Sequence, residues 1–419
     1  MDAFIVSTLG AYVLEFAGLL VRWLHLIAGV AWIGASFYFI WLDNSLRPPK
    51  PGSVAAGNGV AGELWAVHGG GFYNPQKYLV SPPTLPSELH WFKWEAYTTW
   101  LSGMGLLAIV YWARAGVMMV DRSIADLSGA QAVAIGAASL LGGLVVYEGL
   151  CRSPLVRRPA AFGAVMFAST LALAFVLTHW LGGRAAFIHV GATLGTILVA
   201  NVFHIIIPGQ KRMVAAMQRG ETPAAIDGIR GKQRSVHNNY LTLPVLFTMI
   251  SNHFALIYQH ADAWTLLGLL AAGGIAIRHF FNRRHKGHLE WRWPAIGIVL
   301  LLVMAVWAAP SARSPAPASS TPSSTPSATP SAAAVPTLNE VRAIVAARCI
   351  ACHAAQPSFA GFAQPPAGVV LTSDEAIVRE AARIHQQVVV LRAMPIGNLT
   401  GMTDAERDTL ARWFDAGAR

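Results

Sequence analysis

Cys349-Ile350-Ala351-Cys352-His353 sets two thiols and an imidazole within about one turn of chain. That spacing serves one chemistry well: both sulfurs form thioether bonds to the vinyl groups of a haem, and the imidazole takes the proximal iron position. A zinc site built on the same pair needs two more ligands, and no third cysteine follows. A second axial ligand must then come from further along the chain, and a thioether would raise the potential. Met394, followed by the restricting Pro395, is the expected ligand. Met402 competes for the role, but it directly precedes Thr403-Asp404-Ala405-Glu406, which reads as a capping box opening a helix over 404–416, so Met402 is expected to pack as a hydrophobic staple.

A second set of chemistry-bearing residues lies in very apolar surroundings. Ionisable groups inside a bilayer are costly and mark candidate sites. Glu15, Arg22 and His25 share one face of the first apolar segment. His189, His204, His253 and His279 are candidate axial ligands for a non-covalent haem b; His189 and His204 are 15 residues apart, about 22 Å along a helix, with Gly191 and Gly195 between them to admit a flat macrocycle. Two denser stretches follow. ELWAVHGGGFYNPQKYLVSPPTLPSELHWFKWEAYTTWLSG, residues 63–103, carries His68, Lys77, His90 and Lys93 among aromatics; RSVHNNYLTLPVLFTMISNHF, residues 234–254, carries His237, Asn238, Asn239 and Thr242. Together they suit an amide-rich, cationic pocket for a flat heterocyclic anion.

The elements that must position these groups follow from composition. Of 419 residues, 54% are hydrophobic and 12% charged, half the charged fraction of a soluble domain, about 25%. That excludes an ordinary soluble enzyme and a disordered chain. Apolar runs near the 20 residues that a bilayer requires predict eight spanning helices, at 13–42, 96–114, 129–150, 159–181, 185–208, 240–259, 263–281 and 293–310. Most Lys and Arg fall in the odd-numbered loops, counted as Arg47, Lys50 and Lys77, then Arg152, Arg157 and Arg158, then Lys211 to Arg234, then Arg278 to Arg292. These loops are therefore expected on the cytoplasmic side, with both termini in the periplasm of a bacterial inner membrane. The first helix reads as a retained anchor, since no basic stretch precedes it. The net charge of +10 belongs to this topology and gives no case for nucleic acid, because residues 337–419 carry eight basic and eight acidic side chains.

The expected domains are a transmembrane part at 1–310, a Pro/Ser/Ala/Thr tether at 311–336 that cannot pack a core, and a periplasmic haem domain at 337–419. A tether of this composition reaches roughly 80 Å. The tail's order of helix, CxxCH, middle helix at 373–391, Met-Pro loop and final helix resembles a small class I cytochrome c. The fold class expected is all-α: an eight-helix transmembrane bundle, a flexible linker and that small domain.

VHGGGFYNPQKYLVSPP, LHWFKWEAYTTWLSG and HNNYLTLPVLFTMISNH, with the eight-helix layout and the CIACH-bearing tail, resemble the bacterial membrane-bound urate hydroxylases. The resemblance covers nearly the whole chain apart from the tether. It implies oxidation of urate to 5-hydroxyisourate in purine catabolism, with electrons passing to cytochrome c and not to peroxide, and an onward acceptor such as a cytochrome c oxidase. It carries over no catalytic residues. On the residues themselves, Lys77 and Lys93 are candidates to hold the anion, His237 or His68 to take a proton, and Asn238 and Asn239 to read the ring amides. The rival reading is a non-enzymatic module in which a haem b anchor passes quinol electrons to its own cytochrome c.

Overall fold

The computed structural model describes residues 8–78, 80–309, 335–359, 362 and 364–419, so the expected tether lies outside the described residues except at 335 and 336. Helices form at each of the eight expected places. They are α1 (Thr8–Ser45), α2 (Trp94–Leu106, prolonged through a π turn to Met118), α3 (Gly129–Arg152), α4 (Pro159–Thr178), α5 (Gly183–Ala200, running on to Gln218), α6 (Ala225–Ile250), α7 (Ala263–His285) and α8 (Arg292–Trp307). Six of them, α1 to α5 and α7, are long and apolar enough to cross a membrane. α8 is apolar but shorter, and α6 opens on a charged segment.

The distribution of side chains is that of a bundle in lipid. Leu19, Trp23, Leu26, Val145, Val299 and Leu302 are exposed, which costs nothing in hydrocarbon, while Asn201, His189, Asn239 and Thr248 are turned inward. α5 is the central helix, packed against α3, α4 and α6. Small residues let it approach closely: a Cβ at Gly136 of α3 would collide with the His189 ring of α5.

Two departures from the expected layout matter for the site. α6 begins well before 240 and ends at Ile250, so His237, Asn238 and Asn239 lie inside a helix and not in a loop ahead of one. α5 likewise continues past 208. Pro208 has no N–H to give the carbonyl four residues back, and the helix opens into a π segment at Asn201–Ile206, a form that is frequent at functional sites.

The chain is mostly helical but not purely so. Residues 60–78 form two nested antiparallel pairs, β1 (Val60–Glu63) with β4 (Gln76–Tyr78) and β2 (Ala66–His68) with β3 (Gly71–Tyr73). Gly69 and Gly70, both at positive φ, make the inner turn where a side chain would be strained.

The tail forms its own core from Val341, Val345, Ile377, Leu410 and Trp413. α9 (Leu338–Arg348) starts at a Thr337/Glu340 capping box, and α10 (Asp404–Asp415) starts at the expected Thr403/Glu406 box. The expected middle helix is divided into Asp374–Arg379, Ala381–Ile384 and a π turn.

Candidate functional site

Successive residues on a helix point about 100° apart, so His237-Asn238-Asn239 cannot face one pocket. The structure divides them between two buried clusters.

The first cluster lies between α3, α5 and α6. Asn201 Nδ2 donates to the Tyr147 hydroxyl at 2.8 Å and to Asn238 Oδ1 at 2.8 Å. Its Oδ1 accepts from Arg234 Nη1 at 3.0 Å, and Asn238 Nδ2 donates to the Leu198 carbonyl at 2.9 Å. The Tyr147 hydroxyl, already accepting from Asn201, also bonds His237 Nδ1 at 2.8 Å. Arg234 makes a bidentate pair with Glu148 at 3.0 and 3.1 Å and lies 5.0 Å over the Tyr147 ring. No buried side-chain polar atom in this cluster lacks a partner. This network pins three helices together, and His237 Nε2 is the ring nitrogen it leaves outside its pairings.

The second cluster lies between α1, α6 and α7. Asn239, wholly buried, accepts at Oδ1 from Arg278 Nε at 3.0 Å and from Asn282 Nδ2 at 2.8 Å. Here the pairing stops. Asn239 Nδ2, Arg278 Nη2 and Asn282 Oδ1 have no partner, although these side chains are 0%, 6% and 9% exposed. The Arg278 guanidinium lies 3.8 Å from the centroid of the Phe37 ring, and no carboxylate pairs with it among the described residues. Each orphaned group costs about 1–3 kcal/mol, more when charged. Two donors, one acceptor, a cation and an aromatic face therefore converge without internal satisfaction.

The remaining candidates are dispersed. His68 is exposed at the end of β2. Lys77, on β4, pairs with Asp43 at the end of α1, and Lys232 of α6 takes the other oxygen of the same carboxylate at 2.9 Å; burial, and then the Lys232 ammonium, hold the Lys77 pKa below the ordinary lysine value. Lys77 thus ties the hairpin to the bundle. His204 and His253 are exposed. His279 accepts or donates at Nδ1 with the Tyr240 hydroxyl, 2.7 Å, and packs on Trp293. His189 bonds the Ala185 carbonyl through Nδ1 at 2.8 Å, while its Nε2 accepts from Trp112 Nε1 at 3.2 Å. Neither ring nitrogen is left for iron, and Gly136 closes on the ring. A haem b does not fit at His189.

The tail residues do fit a covalent haem. Cys349 and Cys352 are free thiols, and burial pushes that of Cys349 up to about 11, so neither is a ready thiolate for a bare metal. His353 donates Nδ1–H to the Val369 carbonyl at 2.9 Å, which fixes the ring and leaves Nε2 with a free lone pair. Met394 is half-buried against the same core as Cys349 and Ile350. Met402 is 4% exposed and held by Asn398 at its backbone. Arg407 Nη1 donates to the Met394 carbonyl at 2.9 Å and to that of Val388, fastening the Met394 loop.

Residues 11–309 match the family model for the urate oxidase N-terminal region. The chain belongs to that family. No curated protein and no solved structure matches it. The urate oxidase N-terminal match contains both buried clusters and stops short of the tail, so it bears on the bundle alone. Within it, sequence reasoning overlooked Phe37, Tyr147, Glu148, Arg278 and Asn282 as site residues. One signal was present: Arg278 and Asn282, four apart in an apolar run, must share a helix face.

Proposed function

We propose that the protein oxidises urate to 5-hydroxyisourate at the Asn239/Arg278/Asn282 cluster. Urate is a planar anion with carbonyl oxygens and ring N–H groups side by side. Arg278 Nη2 and Asn239 Nδ2 donate to its oxygens, Asn282 Oδ1 accepts from a ring N–H, and the Phe37 ring beside Arg278 offers an apolar face. The observation that carries the reading is this trio of unpartnered polar atoms inside the segment matched to the urate oxidase family.

The reaction balances as urate plus water giving 5-hydroxyisourate, two protons and two electrons. Cys349, Cys352, His353 and Met394 would hold a c-type haem, which accepts electrons one at a time for an onward acceptor. The loops at the α2–α3 and α4–α5 turns and the tail then lie on the periplasmic side of an inner membrane, and the basic loops on the cytoplasmic side.

The test is stoichiometric. Solubilised protein supplied with urate and a one-electron acceptor consumes urate and reduces two equivalents of acceptor per urate, without peroxide. Urate left unchanged, or peroxide formed one for one, would sink the proposal.

A further inference from the structure

We infer that the loop following Met394 is a docking element that seats the tail on the end of the bundle formed by the α2–α3 turn and the start of α5. This rests on the tail's role as electron acceptor proposed above, but the geometry stands apart from it. The turn Ile396–Asn398 packs against Ala115–Met118 at the end of α2. Val120, Asp121, Gly182 and Tyr258 wall the seam on one side, Ile396 and Gly397 on the other, and the gap left between them is only about 20 Å³, the room of roughly one water.

Two features show that the fit is close. Gly397 sits at φ +54°, and a Cβ there would meet the Val120 carbonyl oxygen, a backbone atom with no freedom to swing away. On the bundle side of the seam, Gly182 donates its N–H to the Met119 carbonyl at 2.8 Å, which joins the α2–α3 turn to the start of α5. Asp121 accepts from Ser123 N at 3.0 Å and Ser123 Oγ at 2.6 Å, which holds the turn in the shape the tail meets. Val120 and Ala393, on opposite sides, are each 4% exposed.

The consequence is functional placement. Arg407 fastens the Met394 carbonyl, so the loop that carries the candidate iron ligand is the loop that docks. It meets the basic-poor end of the bundle, the end on which loop charge independently places the tail. The tether thus delivers the tail to a defined seat and raises its local concentration there.

The test uses the full chain carrying Val117→Cys and Ile396→Cys, with a protease site inserted within 311–334. After oxidation and cleavage, the tail should stay with the membrane fragment on a denaturing gel until reductant is added. A control pair, Val117→Cys with Glu375→Cys, should release it. Adding Gly397→Ala to the first pair should slow disulfide formation by roughly tenfold, the scale of about 1.4 kcal/mol of docking energy, with circular dichroism confirming that the tail is folded. Release of the tail from the first pair, equal trapping by both pairs, or an unchanged rate in Gly397→Ala would overturn the docking seat. No urate is present, so failure here is distinct from failure of the proposed reaction.

Discussion

Replacing Arg278 by Met separates a ligand-binding arginine from a structural one. Arg278 is buried with one hydrogen-bonded partner, Asn239, one aromatic contact, Phe37, and an unpartnered Nη2. Burying a charge costs several kcal/mol unless it is well paired, and the cation–π contact returns about 2 kcal/mol at most. Methionine fills the space with no charge, while Asn282 still donates to Asn239 Oδ1. The variant should therefore be as stable as the wild type or more so. Urate binding should suffer, because a charge-assisted hydrogen bond is worth about 1.5–3 kcal/mol, or roughly 10- to 150-fold in affinity. Thermal unfolding in detergent reads both quantities. With urate at 100 times its Kd the wild type gains about 2.7 kcal/mol. A variant binding about 100-fold more weakly gains only about 0.4 kcal/mol at the same urate. Arg234→Met is the contrast: it strands Glu148 and Asn201 Oδ1 and should cost about 3–5 kcal/mol. An Arg278→Met protein that unfolds, or that keeps the full urate-dependent shift, refutes the reasoning.

Three further outcomes follow from the geometry. Tyr147→Phe removes the partner of His237 Nδ1 and of one Asn201 N–H, so stability should fall by about 1–3 kcal/mol for each stranded group while the KM for urate holds; a raised KM without lost stability would place Tyr147 in the substrate site. Met394→Ala should lower the haem potential and weaken the near-infrared Met-to-iron band, whereas Met402→Ala, emptying a core position, should cost about 2–5 kcal/mol and leave the band intact; the reverse pattern exchanges their roles. Glu290, gripped by Arg283 and Arg292 and by Trp293, has its carboxyl pushed down to about 2. A carboxyl held below its usual value near 4.3 stabilises the folded loop above that value and loses its contribution as pH falls toward about 2, so proteolysis between α7 and α8 should accelerate only over that acid window.

The long apolar runs made the helices legible, because a bilayer accepts little else, and the capping box at Thr403 marked a helix start to the residue. Helix ends were harder to place. α5 runs through Pro208, where the expected helix ended, because in a bundle neighbouring helices make up for the lost hydrogen bond; α6 starts at Ala225 and not at 240, since its charged opening does not read as a span. The hairpin at 60–78 was also missed, since its strands are three or four residues long and alternation over so short a run is weak evidence.

The candidate site was legible as a neighbourhood and not as a constellation, and the reason is rotation. His237-Asn238-Asn239 reads as one polar motif, yet three consecutive helical positions span about 200°. Asn239 therefore looks toward α1 and α7, and His237 and Asn238 toward α3 and α5. What distinguishes the two clusters is pairing. Tyr147, Asn201, Arg234 and Glu148 leave no fully buried side-chain polar atom without a partner on their side, so that network holds the helices together. Arg278 and Asn282 meet Asn239 with three polar atoms left over. A buried group without a partner destabilises the fold that contains it, and that cost is the ground on which the urate site is proposed at Asn239, Arg278 and Asn282 and not at the Tyr147 network.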